Sequence, residues 1–319
     1  MKLSINVKLI AFIFLMISCF ANYISFAQSD FYKLFNINNV KEHISILASD
    51  SLEGRGTGTK GERLATEYIK TEIHKNGLIP FADNDSYLQA IPMHGSFSLP
   101  SSLLRIYDDT STYNLTSGIH YILLKHGEQT LISKPVEMVF AGYGIVAPEY
   151  DYNDYQNIDV EGKVVLVLSG EPYSENEKYF SGYNQTIYSL AEAKHRIAIS
   201  RGARGLLIVP SFTKFSIDNW NHLLKEYSFE DVTMPSITAS NFLAYLHQAV
   251  AERLFQISNL SYNKMIEDHF SGKIKSINLK SKLSFKGVFK ERDFIAHNVT
   301  GLIKGSDKRF VDSYLVVTA

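Results

Sequence analysis

The sequence predicts an α/β fold in which one sheet domain is interrupted by a smaller, β-rich one. Three observations predict it. Near the N-terminal end, apolar residues recur at helical spacing in two stretches, through Val40, Ile44 and Leu47 and then through Leu64, Ala65, Tyr68, Ile69 and Ile73. In the middle, the apolar runs Val164-Val165-Leu166-Val167 and Leu206-Leu207-Ile208-Val209 read as buried strands. Between them lies an amphipathic stretch holding Leu190, Ala193, Ile197 and Ala198. Toward the end, Ile277 to Phe289 alternates as a strand, and Tyr314-Leu315-Val316-Val317 is a run of the kind buried on both faces of a mostly parallel sheet.

A length of 319 residues holds one large domain or two ordinary ones, and 45% apolar with 20% charged residues is a globular composition. The net charge of -1 and a pI near 6.8 provide no basic field for a phosphate backbone, which argues against nucleic acid as a partner. Lysines crowd between Lys273 and Lys290, but several alternate with Ile277, Leu279, Leu283 and Phe285 and so form the wet face of a strand.

The first residues form an export leader. Lys2 and Lys8 precede the apolar stretch Leu9 to Phe20, and Ser25-Phe26-Ala27 places small side chains at the -3 and -1 positions, so cleavage is expected after Ala27. A lipoprotein leader with Cys19 as the lipidated residue is the competing reading. Met16-Ile17-Ser18 is a poor match to the residues such a leader needs, and apolar residues run on past the cysteine. An uncleaved anchor is disfavoured because Asn22 interrupts a run barely long enough to span. The mature chain is therefore expected to be secreted or periplasmic, with no transmembrane segment. Cys19 is the only cysteine, so its removal leaves no disulfide. Asn114, Asn184, Asn259 and Asn298 head Asn-x-Ser/Thr triplets that a eukaryotic secretory pathway could glycosylate.

Taken in order, Asn38 or Asn39 is expected to cap the first helix, with His43 on its surface or in packing. Gly56-Thr57-Gly58-Thr59-Lys60-Gly61 spells G-x-G-x-x-G. A dinucleotide loop needs a strand before it, however, and a helix and a Ser-Asp-Ser turn stand there. Glu62-Arg63 replaces the Lys-Ser/Thr pair of a Walker loop. Asn76-Gly77 stops the second helix. From Phe81 to Lys134 the pattern is mixed, with strand-like pieces at Leu103 to Tyr107 and Tyr121 to Leu124. Val136 to Ala141 reads as a strand, Gly142 to Ile145 as a turn, and Asp151 to Asp159 as a tyrosine-rich acidic loop. Asp151-x-Asn153-x-Tyr155 lacks the third oxygen ligand and the glycine of a calcium loop. Ser240 to Arg253 reads as a further amphipathic helix.

None of the ten histidines lies in H-E-x-x-H, H-x-x-E-H or H-x-D, and there is no G-x-S-x-G. His222 with Glu226, and Glu267-Asp268-His269, have spacings that read as solvated surface. His297 falls inside a predicted strand.

Two stretches carry a family resemblance. Leu47-Ala48-Ser49-Asp50-Ser51-Leu52-Glu53-Gly54-Arg55, with Gly58-Thr59 and Gly61 and a helix behind them, resembles the opening of the di-zinc aminopeptidases, the family of aminopeptidase Y and the glutamate carboxypeptidase relatives. Asn298-Val299-Thr300-Gly301 through Gly305-Ser306, followed by Tyr314 to Ala319, is similar to the strands that lead to its first metal motif. The block from Pro135, through Met234-Pro235-Ser236-Ile237, resembles a protease-associated insert. Behind the leader at 1–27, the resemblance implies a peptidase segment and linker at 28–134, an insert at 135–251, and the first strands of a truncated zinc-exopeptidase α/β domain at 252–319. It implies two zinc ions and a peptide substrate for the complete family member. Ala319 matches the residue before the first ligand, so no catalytic, cofactor-binding or metal residue is assigned to this chain and no zinc is expected in it. The alternative is a self-standing exported binding module that engages peptides or partners without catalysis.

Overall fold

Asn36 starts the first helix: its side-chain oxygen accepts the Asn38 N–H at 2.9 Å, and α1 runs over Ile37–Leu47. The cap lies ahead of Asn38 and Asn39 because Asn36 holds the extended backbone (φ -96°, ψ 108°) that a cap requires. The computed structural model describes residues 35–125, 131–172, 174–182, 184–210, 217–235, 241–270 and 275–318. Cys19, Ala27, Ser236, Ile237 and Ala319 lie outside them, and with them the leader expectation. Two compact units emerge, one holding the described residues up to Gln89 together with those from His297 onward, the other Ala90–Ala296.

In the first unit, α1 buries none of its residues, and Val40 and Ile44 are 43% and 60% exposed. A 3-10 turn over Asp50–Arg55 leads to α2, Lys60–Lys75, where Thr59 Oγ1 accepts the Glu62 N–H at 3.4 Å. His43 Nδ1 meets Tyr68 Oη at 2.6 Å and so ties α1 to α2. After Gly77, whose φ of 76° suits a helix end, comes the short strand β1, Ile79–Pro80.

The second unit is built on strands. β2 (Leu88–Ser98) crosses into it, followed by β3 (Leu103–Tyr107), β4 (Thr112–Leu115), β5 (Tyr121–Lys125), β6 (Leu131–Phe140) and the two-residue strands β7 (Val146–Ala147) and β8 (Tyr152–Asn153). Then come β9 (Val164–Leu168), α3 (Ala191–Ser200), β10 (Gly205–Val209), α4 (Ile217–Glu226), β11 (Asp231–Thr233), β12 (Phe242–Leu246), α5 (Gln248–Ile257), α6 (Tyr262–Phe270), β13 (Ile277–Lys286) and β14 (Phe289–Val299). Eight of these strands make one sheet in the order β4-β3-β13-β6-β9-β10-β12-β5. β6, β9, β10 and β12 are parallel; the strands outside them pair antiparallel.

β9 and β10 are central because every residue in both is buried, as the continuous apolar runs require. Alternate β9 residues serve opposite faces. Val164, Leu166 and Leu168 pack with Val250, Leu254 and Phe255 of α5, while Val165 and Val167 pack with Ala198 of α3 and Trp220 of α4. β13 carries its lysines outward and Leu279, Leu283 and Phe285 inward, as the alternation predicts.

Two further predictions need correction. Phe242–Leu246 is a strand and only Gln248–Ile257 is helix. Five apolar residues in a row satisfy strand and helix periodicity alike, and β10 supplies the parallel partner that decides for the strand. Tyr314 to Val317 is not a strand. These residues are 64%, 93%, 76% and 86% exposed, and no partner strand reaches them among the described residues. The strand before them is real but short: β15, Gly301–Leu302, pairs antiparallel with β1.

The pairing of β13 with β6 contains two irregularities. Between Asn278 and Lys282 the partners move from Val139 to Glu137, so β13 carries two extra residues; between Leu283 and Phe285 they move from Val136 to Ile132, so β6 does. Ser258, at the end of α5, pins the first bulge by accepting the Lys280 N–H at 3.0 Å. Pro135, which has no N–H to donate to the ladder, falls in the second.

Candidate functional site

A group of enclosed ionisable side chains lies where β6 and β9 end, the edge at which open α/β sheets present their loops. Gly142 and Gly144, at φ 50° and 69°, turn the chain after β6. Gly144 is also required by space, since a Cβ there would sit 2.8 Å from Val167 Cγ1. Asp154 closes this turn. Its Oδ2 accepts the Tyr143 and Ile145 N–H groups, both at 3.0 Å, and its Oδ1 accepts the Tyr152 hydroxyl at 2.8 Å.

Lys194 reaches the same turn from α3 and is fully buried. Its Nζ donates to the Tyr143 carbonyl at 2.7 Å and the Gly170 carbonyl at 2.6 Å, tying the chain after β6 to the chain after β9. Glu171, next in sequence, accepts both the N–H and the hydroxyl of Thr186. Beside them, buried Phe180 packs against Tyr150, Tyr152, Tyr179 and Tyr188.

Burial pushes the Asp154 carboxyl up to about 6, against the three hydrogen bonds and the Lys194 charge, which favour the carboxylate. Burial likewise pulls the Lys194 ammonium down to about 7, with Asp154 and then Glu171 opposing it. Such perturbed groups recur at reactive sites. Here the lysine nitrogen is spent on two carbonyls and has no exposed surface, so what the arrangement does is hold two loops together.

The other candidates do not converge. The helix after the glycine motif meets its own carboxylate: Glu62 Oε2 accepts the Gly58 N–H at 2.5 Å. Gly61 is there for packing, because a Cβ would lie 1.8 Å from the Leu52 carbonyl oxygen. His222 and Glu226 are exposed on α4, Glu267 and Asp268 pair with Lys264 at 3.7 and 2.9 Å, and the His269 side chain is outside the description. His297 N–H donates to Glu62 Oε1 at 3.1 Å. Asp151 is exposed at φ 50°, and Asn153 turns inward on its own loop to accept the Tyr155 N–H at 2.9 Å.

Sequence reasoning missed Asp154, Lys194 and buried His195, whose Nε2 lies 2.8 Å from the Asn241 carbonyl. A signal existed for Lys194. It stands four residues from both Leu190 and Ala198, inside the apolar stripe of its helix.

The chain is similar to part of two bacterial aminopeptidases. One is an aminopeptidase from Aneurinibacillus sp. strain AM-1, at 12% identity and TM-score 0.39, covering 82% of this chain and 46% of that one. The other is BSAP, a zinc aminopeptidase from Bacillus subtilis, seen in two solved structures at 15% identity and TM-scores of 0.28 and 0.29. Both cover 79% of this chain, and 44% and 46% of theirs. The chain thus spans less than half the length of each. No family model matches the chain. No curated protein matches it either.

Two zinc ions need about three protein ligands each, with carboxylates among them. Among the described residues no group of three His, Cys, Asp or Glu side chains could hold a metal ion. No helix among them is long and apolar enough to cross a membrane.

Proposed function

We propose that the chain is the N-terminal part of an exported zinc-dependent aminopeptidase, carrying a protease-associated insert that the sequence placed at 135–251 and that we extend to the compact unit Ala90–Ala296, because 135 falls inside β6 and 251 inside α5. On this reading, removal of N-terminal residues from peptides belongs to the complete protein. The zinc ligands and general base follow the strand that Tyr314 to Val317 would form, and Gln28–Ala319 alone does not hydrolyse peptides.

The observation that supports this is the exposure of that run. Tyr314-Leu315-Val316-Val317 has the composition of a central strand, yet its residues are 64–93% exposed, with Tyr314 making a ring contact to Phe81 at 5.8 Å. Phe35, Ile37 and Ile44, at or near α1, are likewise 60–65% exposed. Apolar surface left open in this way calls for further packing. The test is zinc content after extensive dialysis, with hydrolysis of leucine p-nitroanilide measured with and without a chelator. It is run on Gln28–Ala319 and on the product of the reading frame continued past the Ala319 codon. Chelator-sensitive turnover by the longer chain alone is expected; turnover by Gln28–Ala319 overturns the proposal.

A second reading, a self-standing exported binding module, is supported by the core that Ala90–Ala296 closes within itself. The codons after Ala319 separate the two. His-Tyr-Asp-His there favours the peptidase, and a stop followed by unrelated sequence favours the module.

A further inference from the structure

A cleft of about 310 Å³ opens between the β3–β4 hairpin and α5, at the small end of ligand-sized pockets. Ile106, Leu115, Val250 and Leu254, all buried, form an apolar floor. Three polar side chains lie around it: Asn114, His120 and Arg253.

Each of these three turns a donor outward because its acceptor is already engaged, or because it has none. Asn114 Oδ1 accepts the Arg105 Nε–H at 3.0 Å, which leaves the amide NH2. His120 Nδ1 accepts the Thr116 N–H at 2.9 Å, which fixes the proton of the neutral ring on Nε2. Arg253 has donors only. Its guanidinium carbon lies 3.9 Å from the centre of the Tyr113 ring, and that ring is held by a hydroxyl bond to Asp108 Oδ2 at 3.1 Å. Among the described residues, Arg253 has no carboxylate partner, and none that lines the cleft is acidic.

An apolar floor beneath donor groups, one of them a positioned and uncompensated cation, matches one ligand chemistry. We propose that this cleft binds an apolar group carrying a free carboxylate: the carboxylate bonds to Arg253, with His120 and Asn114 in support, and the apolar group covers Val250 and Ile257. A peptide C-terminus ending in an aliphatic residue and a free aliphatic acid share this chemistry. The inference does not rest on the peptidase reading, since every residue it uses lies within Ala90–Ala296.

The test is calorimetric titration of the full mature chain with N-acetyl-L-leucine, N-acetyl-L-leucinamide, octanoate and a hexapeptide ending in leucine with a free carboxyl group. The free acids are expected to bind at least about tenfold more tightly than the amide, because a hydrogen bond to a charged group is lost with the charge. Arg253→Gln should remove that preference while leaving the thermal midpoint within a few degrees, because the guanidinium is exposed. Ala249→Trp, which fills the exposed mouth of the cleft, should abolish binding of all four probes. Tighter binding of the hexapeptide than of octanoate assigns the site to peptide C-termini, and the reverse order assigns it to free acids. Equal affinity for acid and amide, binding that survives Arg253→Gln, or no saturable binding of any free acid would each overturn the proposal.

Discussion

The Glu62 carboxylate joins His297 to the start of α2 across 235 residues of sequence: Oε1 accepts the His297 N–H at 3.1 Å, while Oε2 accepts the Gly58 N–H at 2.5 Å. One side chain therefore serves two backbone donors and places its charge at a helix N-terminus, where it is favoured. Glu62→Ala should destabilise the first unit by about 1–3 kcal/mol, and Glu62→Gln by less, since the amide keeps one acceptor. Hydrogen exchange at His297 and Gly58 reports this directly. Unchanged protection of both amides in Glu62→Ala would contradict it.

The glycines of the G-x-G-x-x-G stretch separate a packing role from a phosphate-binding one. Gly61→Ala places a Cβ against the Leu52 carbonyl and should cost on the order of 2–4 kcal/mol. At Gly56 the nearest atom is the Thr59 methyl at 3.3 Å, so Gly56→Ala should cost under about 1 kcal/mol. Urea melts of the two variants provide the comparison, and equal losses would refute the packing account.

The Asp154–Lys194 cluster makes stability depend on pH with two opposite slopes. Asp154 titrates near 6 when folded and near 3.8 otherwise, so between these values the folded chain holds a proton the unfolded chain has released, and stability falls as pH rises. Lys194 titrates near 7 when folded and near 10.5 otherwise, so above 7 the unfolded chain holds the extra proton, and stability rises with pH. The cluster's contribution is lowest between about pH 6 and 7. Each slope approaches 1.4 kcal/mol per pH unit at most. Asp154→Asn should remove the acid-side slope and Lys194→Met the alkaline one, in urea midpoints measured from pH 4 to 9.5. Retention of both slopes in both variants would show that other groups produce them.

Limited proteolysis should leave a protected fragment close to Ala90–Ala296 and cut early within Tyr314 to Val317, where the backbone is exposed and outside any ladder. Mass spectrometry of the first products identifies the cuts. Protection of Tyr314 to Val317 equal to that of β9 would contradict the exposure described here.

The strands of the large sheet were legible wherever one residue pattern excluded the alternatives. Val164 to Val167 and Leu206 to Val209 are β-branched or aliphatic runs too short for helices, and β13 alternates lysine with apolar residues. Phe242 to Leu246 was not legible, because its identity as a strand depends on pairing with β10, a contact some 37 residues distant. α6 escaped because Tyr262 and Met265 are the buried residues among its described side chains, too few to set a period. The ionisable cluster was hidden for a different reason. Asp154 sits in a loop that reads as solvated acid, and only the fold around it brings Tyr143 and Ile145 to its oxygens.

The two bulges between β13 and β6 have opposite sign and equal size. Past the second one, Phe285 faces Ile132 in the same phase that Ile277 had with Phe140. Because each insertion is even, neither strand exchanges its inward and outward residues, and Leu279, Ser281, Leu283 and Phe285 all stay inside. The ladder therefore behaves like a sentence with two matched parentheses. Deleting Leu279-Lys280, two of the residues that bulge out, would leave Asn278 facing Val139 and Lys282 facing Glu137, so the first parenthesis would close without moving any later pair. Length variation at either bulge is therefore absorbed locally, provided that two residues enter or leave together.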